Sequence, residues 1–102
     1  GTPLHAPAAG TVVVATEDYE PQPGAGTVVI IDHGQGIQTS FFHLGRVLVR
    51  TGKHVTGGQV IAEIGSSGRS TGPHVHVEVH VDGEAVDPAT FVGAWRQRTE
   101  VK

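Results

Sequence analysis

The chain of 102 residues has no cysteine and no methionine, and only one tryptophan, one tyrosine and three phenylalanines. Without cysteine there can be no disulfide, thiol nucleophile or thiolate metal site, so any metal must be held by His, Asp or Glu. That donor set suits zinc in an open catalytic site better than in a closed structural one. Charge is also sparse, at 17% of residues, with a net charge of −3 when the histidines are neutral. The seven basic residues are scattered and aromatics are few, which argues against a nucleic-acid partner. No apolar run approaches the roughly 20 residues of a membrane helix, so stable membrane insertion is not expected. No signal-peptide pattern is present. The length suits one domain with one core.

Glycine (15) and histidine (7) are plentiful instead. Three of the histidines fall in Gly72-Pro73-His74-Val75-His76-Val77-Glu78-Val79-His80-Val81. From His74 onward polar and apolar residues alternate without a break, the period of a strand with one buried face. Val75, Val77, Val79 and Val81 then point one way, and His74, His76, Glu78 and His80 the other. Such a strand can simply turn its polar face to water. Histidines this dense point further, to a metal or proton-transfer site, since neutral imidazole is a common transition-metal ligand. Spacing alone lets both His74 and His76 reach one metal. Glu78 is a general base, a carboxylate that orients a histidine, or an exposed strand residue. His80, near the strand end, is expected to be exposed.

The rest of the chain reads as short strands between glycine-rich turns. Residues 1–10 are an entry loop with Pro3, Pro7 and Gly10 as breakers. Thr11 to Ala15 is a β-branched strand, and the continuous apolar run Thr27 to Asp32 is a central strand covered on both faces. His33-Gly34-Gln35-Gly36 is a tight turn into a strand from Ile37 to His43, broken by Leu44-Gly45. Arg46 to Arg50 alternates, Thr51 to Gly58 is a loop with a brief strand at its centre, and Gln59 to Ile64 is a strand. Gly65 to Gly72 is a loop of small and polar residues. It lacks the Gly-Lys-[Ser/Thr] ending of a phosphate loop, so it reads as a rim that lets a substrate backbone approach. Asp82-Gly83 is a turn before a strand from Glu84 to Val86. Asp87 would cap a helix over Pro88 to Arg98 that packs Phe91 and Trp95. The fold class is all-β, an antiparallel sandwich or barrel-like domain of six or more short strands with a short C-terminal helix. On residue type alone His43 is a satisfied core histidine among aromatics, His33 a turn residue, and His5 and His54 solvated loop residues.

In order along the chain, GTPLHAPAAGTVV (1–13), GTVVIIDHGQGIQTSFFHL (26–44), VRTGKHVTGGQVIAEIGSSGRSTGPHVHVEV (49–79) and DGEAVDP (82–88) resemble the lysostaphin-like zinc metallopeptidases of peptidoglycan. The resemblance implies an all-β domain with a groove across a large antiparallel sheet, and cleavage of peptide bonds in the stems or cross-bridges of bacterial cell walls. It implies zinc as cofactor, with His76 as a metal ligand and His74 as a catalytic histidine beside the metal. His43, in Phe41-Phe42-His43-Leu44, matches the family's other catalytic histidine, which reverses the core assignment. The implied partners are a peptidoglycan peptide and other cell-wall enzymes, in the periplasm, the cell envelope or the secreted fraction. The family's two remaining zinc ligands stand in a His-x-x-x-Asp segment ahead of the GTPL-like stretch. The expectation is therefore a single metallopeptidase domain over 1–102 that lacks its first metal-ligand segment, belongs to a longer chain and is inactive alone. The rival reading is a non-catalytic wall regulator of the same fold. A lipoyl or biotin carrier is disfavoured, because Lys53 and Lys102 are the only lysines and neither sits in the required context.

Overall fold

The computed structural model describes residues 1–65 and 75–88. Eight strands form among them: β1 (Pro3–His5), β2 (Gly10–Thr16), β3 (Thr27–Gly34), β4 (Ile37–Val47), β5 (His54–Val55), β6 (Val60–Ile64), β7 (His76–Val81) and β8 (Glu84–Val86). All pairings are antiparallel, in one sheet of order β1-β6-β4-β3-β2-β5, with β7 on β4 and β8 on β7.

The apolar run of β3 is buried on both faces. Val29 and Ile31 join Val12, Phe41, Leu44 and Ile61 in the larger core cluster, while Val28 and Ile30 join Ala25 and Phe42 in a smaller one. That is why this strand does not alternate. β7 does alternate: Val75 and Val77 pack on the larger cluster and Val79 is buried, whereas His76, Glu78 and His80 lie on the opposite face. Burying each such aliphatic side chain contributes about 1.5–3 kcal/mol.

Two two-residue turns set the register. Gln35-Gly36 joins β3 to β4 with φ of 54° and 77°, and Asp82-Gly83 joins β7 to β8 with φ of 52° and 86°. Positive φ at both central residues is the turn whose twist matches the flanking strands. The tips are tied together where the Asp82 N–H donates to the Gly36 carbonyl at 2.8 Å.

The sheet must curl. β6 and β5 stand four strand spacings apart in the order, about 19 Å in a flat sheet. Yet only residues 56–59 join them, and these are folded into a turn in which the Gln59 N–H donates to the Thr56 carbonyl at 3.1 Å. A turned tetrapeptide spans under about 7 Å. Ala6 extends the β1–β6 pairing with two backbone hydrogen bonds of 2.8 Å to Gln59 and Gly58, and the curled sheet encloses the larger cluster.

Several expectations are corrected. The entry loop contains β1, which pairs with β6. Leu44-Gly45 does not break the chain: β4 runs on to Val47 by exchanging partners along one edge, with β7 beside residues 37–42 and β6 beside residues 44–47. His33 lies within β3, and His5 and His54 lie in short strands. The expected helix over Pro88 to Arg98 falls almost wholly outside the described residues. Among the described residues no helix is long and apolar enough to cross a membrane.

Candidate active site and groove

Where β4 passes from one neighbour to the other, it carries a bulge. Thr27 pairs with Leu44 and Val29 with Phe41, so Val28 faces both Phe42 and His43. The extra residue changes the side-chain parity: Phe41 and Leu44 both enter the larger core although they are three apart, and the half-buried His43 sits at the bulge. His43 has φ of 61°, a left-handed conformation in which histidine is several-fold enriched among non-glycine residues. Its N–H donates to the Ala25 carbonyl at 2.9 Å, which anchors the bulge.

Phe42, next along the chain, pairs with His76 across β4 and β7. Their rings are 5.5 Å apart at 43°, and Tyr19 lies 6.5 Å beyond Phe42. The His76 side chain is 51% exposed, open enough to meet a ligand. Its Nε2 lies 3.1 Å from Glu78 Oε2; an ionised carboxylate only accepts, so Nε2 carries the proton and donates. His80 Nε2 approaches Glu78 Oε1 at 3.7 Å, too far for a hydrogen bond but close enough for attraction when the imidazole is charged. A groove of about 330 Å³ runs along this face, lined by Tyr19, Gln38, Ser40, Phe42, Glu78 and His80. A second hollow of about 410 Å³ sits at the hairpin tips around Asp32, Gln35 and Asp82 and shares Gln38 and His80 with the first. Gln38 and Ser40 follow from period-two alternation along β4, counted back from Phe42.

The fold thus sets the His43 backbone one residue from the position opposite His76. His74, two residues before His76, lies outside the described residues. The remaining histidines are structural. His33 Nδ1–H donates to the Ala9 carbonyl at 2.9 Å, and its Nε2 accepts from the Thr39 hydroxyl at 2.7 Å. Burial pushes its pKa below the ordinary 6.5, against opposing effects of the Ala9 hydrogen bond and the Asp32 charge. His5 Nδ1 meets the Gly58 carbonyl at 2.8 Å, and His54 Nδ1 meets the Thr11 hydroxyl at 3.1 Å, so neither is simply solvated.

The chemistry of His76 fits zinc: an accessible imidazole with one nitrogen held by a carboxylate and the other left for a metal. It is one donor, and a catalytic zinc needs about three. No group of three His, Asp or Glu positioned to hold a metal occurs among the described residues.

An antiparallel, curled β-sheet with a histidine-bearing strand over an open groove is the architecture of a β-sheet metallopeptidase. The sequence model of peptidase family M23 matches residues 1–88, and the chain belongs to this family. It is 47% identical over 90 residues to an uncharacterized metalloprotease of Haemophilus influenzae, covering 88% of this chain and 18% of that one. It is 42% identical over 87 residues to the peptidoglycan DD-endopeptidase ShyA of Vibrio cholerae, covering 85% and 19%. It is also 37% identical over 93 residues to the murein hydrolase activator EnvC of Escherichia coli, covering 91% and 21%. The chain therefore spans about a fifth of the length of these relatives. Among solved structures, the catalytic domain of lysostaphin from Staphylococcus simulans superposes with a TM-score of 0.80 at 32% identity, covering 91% of this chain and 71% of that one. A zinc containing peptidase from Vibrio cholerae superposes at 0.71 with 40% identity, covering 84% and 26%.

Proposed function

We propose that this chain is the core of a zinc-dependent endopeptidase domain that hydrolyses peptide bonds in the stems or cross-bridges of bacterial peptidoglycan, acting in the periplasm, the envelope or outside the cell. The supporting observation is the half-exposed His76 paired with Phe42, one residue before the bulged His43, at the fork of β4 and next to an open groove. Similarity to a peptidoglycan DD-endopeptidase supplies the substrate class. In this reading residues 1–102 form one domain of a longer protein. His76 is a metal ligand, and an upstream histidine and aspartate complete the shell.

Zinc, when bound, would polarise the scissile carbonyl and supply an activated water near neutral pH. His43 and His74 are the catalytic pair, holding or passing protons at their ring nitrogens and hydrogen-bonding the developing oxyanion or the leaving amine. The groove residues Tyr19, Phe42, Gln38 and Ser40 seat the peptide, with aromatic faces for its apolar stretches and polar groups for its backbone.

Similarity to a murein hydrolase activator favours one other reading, a non-catalytic regulator of a separate wall hydrolase. Digestion of purified peptidoglycan by the full-length protein separates the two. The expected result is release of new amino termini, abolished by a zinc chelator and lost in His43→Ala and His74→Ala, both of which keep their metal. Absence of digestion by the protein alone, together with stimulation of a second wall hydrolase, would establish the regulator instead.

A further inference from the structure

Resting on that reading, we infer that Glu78 is a positioning residue that fixes the His76 imidazole through Nε2. Two observations converge on the carboxylate and a third bears on the imidazole. Glu78 Oε2 takes the His76 Nε2–H at 3.1 Å. Its other oxygen lies 3.7 Å from His80 Nε2, so one carboxylate stands between two histidines on one strand face. The Phe42 ring lies 5.5 Å from the imidazole across the ladder, on another side of it. Period-two spacing makes this possible, because His76, Glu78 and His80 share a face of β7.

The pair is half-exposed, and ion pairs of that kind contribute little to stability, about 0–1 kcal/mol. Its contribution is orientation. An imidazole held at Nε2 keeps one tautomer, with Nδ1 unprotonated and free to ligate, and spends less of its time in rotamers that cannot bind. Outer carboxylates of this kind raise metal affinity about 10–100-fold. His80, beyond hydrogen-bond distance, is a secondary influence.

The test uses the full-length protein with His76→Ala, Glu78→Ala, Glu78→Gln and His80→Ala. Zinc affinity is measured by chelator competition, and the His76 tautomer by ring-nitrogen NMR of the metal-free protein. Glu78→Ala should weaken zinc binding about 10–100-fold and mix the His76 tautomers, with an unchanged melting temperature. Glu78→Gln, whose amide oxygen still accepts from Nε2–H, should recover part of both effects, and His80→Ala should change zinc affinity less than Glu78→Ala. Wild-type zinc affinity and an unmixed tautomer in Glu78→Ala would overturn the inference while His76→Ala still loses zinc. Undiminished zinc in His76→Ala would overturn the underlying reading instead.

Discussion

His33 and His43 show how far one residue type can diverge in a single sheet. His33 spends both nitrogens inside the fold, on the Ala9 carbonyl and the Thr39 hydroxyl, and burial favours its neutral form. A histidine whose folded pKa is lowered stabilises the fold fully above its unfolded value of 6.5, and that contribution is lost as pH falls through the folded pKa. Denaturant unfolding followed from pH 8 downward should therefore show stability declining below about 6.5. His33→Ala should remove part of that decline and cost about 1–3 kcal/mol at neutral pH, because it strands the buried Thr39 hydroxyl. An unchanged pH profile in the variant would show that His33 is not the group responsible. His43 is set by its backbone instead: a left-handed φ and a hydrogen bond from its N–H to the Ala25 carbonyl hold it in the bulge.

At the level of elements, close backbone contacts fix where the strands meet. A Cβ on Gly65, at the end of β6, would stand 2.5 Å from Gly45 Cα and 2.8 Å from Gly45 N, both main-chain atoms that cannot move aside cheaply. Gly65→Ala should therefore destabilise by about 1–3 kcal/mol, as overpacking does. The two hairpin glycines differ in that only one would meet a neighbouring side chain. Both have left-handed φ, but a Cβ on Gly36 would run into the Asp82 carboxylate, while one on Gly83 would meet nothing within 4 Å. Because the Asp82 carboxylate must move aside, thermal unfolding should rank Gly36→Ala slightly below Gly83→Ala, and the reverse order would contradict that contact.

These contacts also mark where sequence reading succeeded and where it could not. β7 and β3 were legible because local alternation, or its absence, reports directly which faces are buried. The Asp82-Gly83 turn was legible as such, while the Gln35-Gly36 turn was read two residues too long because Gly34 hides the end of β3. The continuity of β4 was not, because a bulge shifts the parity at Phe42-His43 and makes Leu44-Gly45 look like an ending. β1 was hidden because its pairing with β6 is long-range and Pro3 masks its strand character. For the same reason His43 was assigned to the core on residue type. Only the family resemblance pointed to another role, and the bulge at His43 is a feature that residue type does not reveal.

Over the whole molecule, one strand organises the candidate site. β4 holds β3 along one edge and divides the other between β7 and β6, and at the fork His43 follows Phe42, the residue that pairs with His76. The curl of the sheet puts the large core behind this fork and leaves its other face open as a groove. A rigid sheet with an exposed histidine face is a suitable base for a metal centre, since strand positions are held more exactly than loop positions. The central claim is that His76 is a ligand of that centre. The most direct measurement is the zinc content of the purified full-length protein beside its His76→Ala variant, with folding of both checked by melting temperature. The account predicts about one zinc per chain in the wild type and none above background in a folded His76→Ala. Equal zinc in the two proteins would contradict it.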